Sequence, residues 1–131
     1  MKPKMILFDY GQTLINESIF DGLAGQKAVL EKATRNGSGA TAEEIQNFIT
    51  ELENEIGRFT PGRVDHYKYE IHNYNFDRFL HEYFDLEFDL APWMLEKIYW
   101  DNASPATPTE GIEELLQFLQ DHHIRTGVIS N

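Results

Sequence analysis

The sequence contains no cysteine, so neither a disulfide framework nor a thiolate metal site is available and packing alone must hold the fold. Positive charge is also scarce. Lys and Arg number 11 against 22 Asp and Glu, and the formal net charge of −11 repels nucleic acid and anionic membrane surfaces. Long apolar runs are missing too. The first, Met5-Ile6-Leu7-Phe8, stops at Asp9 and is far too short for a signal-peptide core or a membrane span. Nothing points to export, and a reducing cytoplasm is the expected location. The five histidines, His66, His72, His81, His122 and His123, lack the His-x-x-x-His or His-Glu-x-x-His spacing of a helical metal site, so capping or solvated roles are expected for them.

What is present suits a globular domain. The chain has 131 residues, 41% of them apolar and 13% aromatic, which is enough to build a core. Met5 to Phe8 reads as a strand buried on both faces of a parallel sheet, and Ile124 to Ile129 reads as a second. The stretch between them is helical in pattern. Ser18 is placed to cap a helix carrying Ile19, Phe20, Leu23, Ala24, Ala28 and Leu30, which Asn36-Gly37-Ser38-Gly39 stops. Thr41 and Glu44 form a capping box before Ile45, Phe48, Ile49, Leu52 and Ile56 at helical spacing.

Thr60-Pro61-Gly62 is a turn flanked by Arg58 and Arg63, which read as surface residues. From Val64 to Phe84 an aromatic-rich stretch keeps a helical period, with a break expected between Asn73 and Asn75. Pro92 opens another helix, with Trp93, Leu95, Ile98 and Tyr99 as its contacts. Residues 102–108 then read as a rigid non-helical connector, after which Thr109 or Gly111 starts a helix through Ile112, Leu115, Leu116, Phe118 and Leu119. A strand, several helices and a closing helix–strand unit imply an α/β fold with a helical insertion, because a helical bundle leaves the two β-like runs without a role.

A carboxylate directly after a buried strand lies at the strand's C-terminal edge, where open parallel sheets place their ligand crevices. Asp9 stands there. Gly11 lets the backbone approach a ligand, and the Thr13 hydroxyl is available to order the loop. At the other end of the chain Ser130 follows the second strand, and a hydroxyl at the end of a neighbouring strand can hydrogen-bond a phosphoryl oxygen held over Asp9. Each residue alone also fits a turn former or a strand end.

Taken together, Phe8-Asp9-Tyr10-Gly11-Gln12-Thr13-Leu14 resembles the first signature of the haloacid-dehalogenase superfamily, usually Asp-x-Asp-Gly-Thr-Leu after an apolar strand. The stretch from Pro108 through Gly127-Val128-Ile129-Ser130-Asn131 is similar to the helix–strand unit that ends in the second signature. The spacing resembles the subclass with a helical cap inserted after the first signature. The resemblance implies a Rossmannoid core from residues 1–15 and 106–131, and an α-helical cap from residues 16–105. It further implies an Mg²⁺-dependent phosphatase of small phosphorylated metabolites. Asp9 is then the nucleophile that forms an aspartyl-phosphate, with Asp9 and the Gly11 carbonyl as metal ligands. Ser130 and the backbone NH of Asn131 hold the phosphoryl oxygens, and Gln12 and Thr13 line the substrate.

The pattern departs from the family in two places. The residue two after the nucleophile is Gly11 instead of the usual second aspartate, a general acid and base whose loss is worth about 10²–10⁴ in rate unless Gln12, a cap residue or water replaces it. The third and fourth signatures, a lysine and an acidic pair, are not found in the required chain order within residues 1–131. The expectation from sequence is therefore a truncated polypeptide, inactive by itself, whose two strands seek a second copy or a longer chain to complete the sheet. Two other readings stand beside it: a non-catalytic interaction module with a vestigial Asp9, and a 2-haloacid dehalogenase, whose tyrosine normally sits one place later than Tyr10.

Overall fold

The computed structural model describes residues 3–56 and 71–130. Along them run β1 (Met5–Phe8), β2 (Ile15–Glu17), α1 (Gly22–Leu30), β3 (Arg35–Asn36), α2 (Ala42–Ile56), α3 (Asn73–Tyr83), β4 (Leu86–Glu87), α4 (Pro92–Ala103), β5 (Ala106–Pro108), α5 (Ile112–Asp121) and β6 (Arg125–Val128). The fold is mixed α/β. Its contacts divide it into two units, Met1–Phe20 with Ser104–Asn131, and Asp21–Ala103. The turn at Thr60, Arg58, Arg63, His66 and the start of the aromatic stretch lie outside the described residues.

In the first unit β1 and β6, from opposite ends of the chain, pair in parallel with Met5 opposite Arg125 and Phe8 opposite Val128. The ladder runs one step further, where the Ile129 N–H donates to the Phe8 carbonyl at 2.9 Å. Both strands were expected to be buried, and they are not. Met5 is 46% exposed and Leu7 53%, and Val128 and Ile129 are also exposed, because a strand with a single neighbour leaves edges and faces uncovered. Ile124, just before β6, does lie in the interior, as do Ile112 and Leu119 of α5.

The connector before α5 is also corrected. Residues 106–108 form β5, antiparallel to β2, with Ile15 opposite Pro108 and Glu17 opposite Ala106. Pro108 is the last residue of β5, and one further bond follows it, from the Thr109 N–H to the Leu14 carbonyl at 3.0 Å. Gly111, with φ +76°, is the cap residue of α5, a conformation that favours glycine. Three-residue strands carry too little alternation to be legible in a sequence.

The helical unit is built around Ile45, Ile49, Leu80 and Phe84, with Leu30, Phe48, Phe76 and Leu86 packed against them. Phe48 stacks on Tyr83 with centroids 4.4 Å apart and meets Phe84 edge-on at 5.4 Å. The capping box forms as its chemistry requires: Thr41 N–H donates to the Glu44 carboxylate at 2.8 Å and Glu44 N–H to the Thr41 hydroxyl at 3.2 Å. At α1, by contrast, Asp21 is the cap in place of Ser18, its carboxylate accepting from Ala24 N–H at 3.0 Å. Ile19 and Phe20 therefore fall outside the helix, and Ile19 is 95% exposed.

α3 begins at Asn73, where the Nδ1 of the capping residue His72 accepts from Tyr74 N–H. The break expected between Asn73 and Asn75 is therefore absent: these residues form the first turn of α3, whose start is set by the His72 cap. α1 ends at Leu30, short of the stop expected at Asn36-Gly37-Ser38-Gly39; that segment instead follows β3, whose two-residue ladder with β4 Arg35 fastens to Glu87 and Asp85 at 2.6 and 2.8 Å.

Candidate functional site

The end of β1 delivers Asp9 into a tight turn. The Tyr10 carbonyl accepts from the N–H groups of Thr13, Leu14 and Ile15 at 3.4, 2.9 and 3.3 Å, so backbone bonds close the loop. The Thr13 hydroxyl, expected to order it, makes no hydrogen bond among the described residues. Gln12 sits at φ +55°, a left-handed position uncommon for a residue with a side chain, and its Nε2 donates to the Glu17 carbonyl at 3.4 Å. Gly11 forms a bridge with Ile15. The loop is thus folded back onto β2, which β5 holds in place.

One oxygen of Asp9 accepts from the Tyr10 N–H at 2.8 Å, and its other oxygen makes no hydrogen bond among the described residues. The side chain is exposed. A carboxylate tethered by one oxygen and open at the other has a lone pair to offer an electrophile. Ser130 is exposed two residues beyond β6, and the parallel register with Phe8 opposite Val128 brings residues 9 and 130 to the same C-terminal edge of the two-stranded sheet. Asn131 lies outside the described residues.

Sequence reasoning missed Glu17. Its Oε2 lies 2.9 Å from where a Cβ on Gly11 would stand, so the carboxylate occupies the space that a side chain at residue 11 would enter. No local pattern signals this, because the approach depends on the turn that folds β2 back over residue 11.

The cations of this unit gather elsewhere. Lys4 precedes β1, Arg125 opens β6, and with His122 and His123 they line an open hollow of about 390 Å³. That is the N-terminal edge of the sheet, separated from Asp9 by the length of a four-residue strand, roughly 13 Å. His122 is fixed at the end of α5, its Nδ1 donating to the Phe118 carbonyl at 2.8 Å.

Magnesium requires hard oxygen ligands and is satisfied by one or two carboxylates with waters and substrate phosphate. The Asp9 carboxylate and the Gly11 carbonyl are donors of that kind. Among the described residues no group of three or more His, Asp or Glu is arranged to hold a metal. These donors match Mg²⁺ in kind, and water and phosphate would have to supply the rest of its coordination.

The helical unit holds a separate polar group. A cavity of about 30 Å³, room for about one or two waters, is lined by Asp77, His81, Tyr99, Gln26, Leu80 and Leu95. Burial, together with the negative charge of Glu96, pushes the Asp77 carboxyl up to about 6. Burial also lowers the pKa of His81, whose ring packs on Phe88 at 4.6 Å. Glu96 itself accepts from Asn73 Nδ2 at 3.0 Å. None of these groups belongs to the unit that carries Asp9.

No family model matches the chain, and no curated protein matches it. Among the described residues no helix is long and apolar enough to cross a membrane.

Proposed function

We propose that this chain carries the nucleophile of a hydrolase of the haloacid-dehalogenase type, which acts on a small phosphorylated metabolite through an aspartyl-phosphate on Asp9. The observation that carries the reading is the parallel pairing of β1 with β6, which gives Asp9 and Ser130 a common strand edge. The haloacid-dehalogenase resemblance in sequence and the division into an α/β unit and a helical unit agree with it. On this reading the α/β unit is part of a Rossmannoid core and the helical unit is its cap.

Asp9 attacks phosphorus with the oxygen that Tyr10 leaves unengaged, and the Tyr10 N–H holds the other oxygen so that the carboxylate keeps one orientation. The Ser130 hydroxyl donates to a phosphoryl oxygen as charge develops on it. Gln12 and Thr13, on the turn after Asp9, face the same substrate, and the Asn131 N–H assists Ser130. Mg²⁺, held by Asp9 and the Gly11 carbonyl, would neutralise the phosphoryl charge that would otherwise repel the nucleophile. Asp9→Asn removes the nucleophile. Hydrolysis of p-nitrophenyl phosphate by the protein in Mg²⁺ is expected to fall to background in that variant. Equal rates in wild type and variant would refute the reading.

A second reading is favoured by one observation. Met5, Leu7, Phe118, Val128 and Ile129 are exposed apolar residues in the unit that carries Asp9, and such a surface suits association through the sheet, with a second copy or another chain. On that reading the chain is an interaction module, its mass in solution exceeds that of one copy, and it shows no Mg²⁺-dependent turnover.

A further inference from the structure

Transfer of a phosphoryl group to a carboxylate and then to water needs a second ionisable group. One proton must reach the departing oxygen, and one must later leave the attacking water. A residue without a side chain at position 11 cannot supply it. We propose that Glu17 is the general acid and base of the Asp9 site, its carboxylate reaching from β2 into the space left open by Gly11. This rests on the phosphatase reading given above.

Three observations carry it. Glu17 Oε2 stands 2.9 Å from the Cβ position of residue 11, two residues from the nucleophile. The Glu17 backbone is fixed, because β2 is laddered to β5 with Glu17 opposite Ala106, and its carbonyl accepts from Gln12 Nε2. The bridge between Gly11 and Ile15 and the three bonds onto the Tyr10 carbonyl close the turn that brings β2 back beside Gly11, two residues after Asp9. A glutamate reaching in from an ordered neighbouring strand can thus do the work of an acid attached to the loop. With glycine at residue 11 the carboxylate keeps this position; a Cβ there would require it to shift.

The chemistry balances in two steps. In the first, an Asp9 oxygen bonds to phosphorus while the bond from phosphorus to the leaving oxygen breaks, and the Glu17 carboxyl gives that oxygen its proton. In the second, the Glu17 carboxylate takes a proton from water, whose oxygen bonds to phosphorus as the bond to Asp9 breaks, releasing phosphate and restoring both side chains.

Leaving groups discriminate this role. 2,4-Dinitrophenoxide departs without protonation, whereas an alkoxide does not. Glu17→Gln is therefore expected to slow an alkyl phosphate by about 10²–10³ and to leave formation of the phosphoenzyme from 2,4-dinitrophenyl phosphate within about tenfold of wild type. With the water step also impaired, phosphate should persist on the peptide containing Asp9 after mixing and acid quench. Glu17→Asp should restore part of the alkyl rate. If Glu17→Gln hydrolyses both substrates as wild type does, the assignment of Glu17 is wrong while Asp9 keeps its role. If both substrates are slowed equally and no phosphoenzyme accumulates, Glu17 supports the loop or a metal and the assignment is again wrong. If wild type itself carries no phosphate on Asp9 and turns over neither substrate, the phosphatase reading fails and the proposal falls with it.

Discussion

A carboxyl forced to share a partly buried site with another acid is the clearest electrostatic tension in the molecule. Asp77 on α3 lies beside Glu96 on α4, and burial with that neighbour raises its pKa from 3.8 to about 6. A folded-state value above the unfolded one means that folding disfavours the charged form. Below about pH 4 Asp77 is neutral in both states and costs nothing. Above about pH 6 it is charged in both and the full cost applies, so this carboxyl makes stability fall as pH rises between those values.

Half-buried His81 acts in the opposite direction, since its lowered pKa makes stability fall as pH drops through the histidine range. Comparing Asp77→Asn with wild type cancels the His81 contribution. The variant is expected to be more stable than wild type at pH 8, by on the order of 1 kcal/mol after solvent screening, and to lose that advantage below pH 4. Thermal melts at the two pH values check this, and an advantage that is the same at both would contradict it.

At the scale of elements, close approach decides more than propensity. Gly25 lies inside α1, where alanine is normally favoured by up to about 1 kcal/mol. A Cβ there would stand 2.7 Å from the Tyr99 ring and 2.8 Å from the Ala103 Cβ, both on α4. Overpacking of that kind costs about 1–3 kcal/mol, so Gly25→Ala should lower the melting temperature of the protein despite the better helix former. A raised melting temperature would show that α1 and α4 can separate without loss.

Elements that announce themselves locally were legible in the sequence. The capping box of Thr41 with Glu44 marked the start of α2, Pro92 marked α4, and the runs ending at Phe8 and Ile129 marked β1 and β6. What escaped depends on distant partners. Two- and three-residue strands such as β3 with β4 and β2 with β5 exist because the tertiary fold brings them together. Ser18 and Asp21 are both good caps, and the choice fell to Asp21 because residues 15–17 are held in β2 and Ser18 N–H is engaged by the Pro105 carbonyl. Of the candidate site, Asp9, Gly11 and Ser130 could be named from strand ends, while Glu17 could not.

On the scale of the whole molecule, charge is distributed unevenly. With a net charge of −11, long polyanions are repelled, yet Lys4 and Arg125 stand together at the edge of the sheet opposite Asp9. A phosphorylated substrate approaching Asp9 meets a carboxylate, and in β1 and β6, the two strands that end there, the only lysine or arginine is Arg125, at the opposite end of the ladder. A divalent cation is what would make such an edge hospitable to phosphate, so the rate of phosphoryl transfer should depend steeply on Mg²⁺.

Chemical trapping of the nucleophile shows whether Asp9 takes up phosphate. The protein is mixed with Mg²⁺ and a reactive phosphate donor such as acetyl phosphate, quenched in acid and digested, and the modified peptide is sequenced by mass spectrometry. The account predicts a single acid-stable, base-labile phosphate on Asp9, absent without Mg²⁺ and reduced in Ser130→Ala. Label on another residue, or no label under conditions where the protein remains folded, would contradict it.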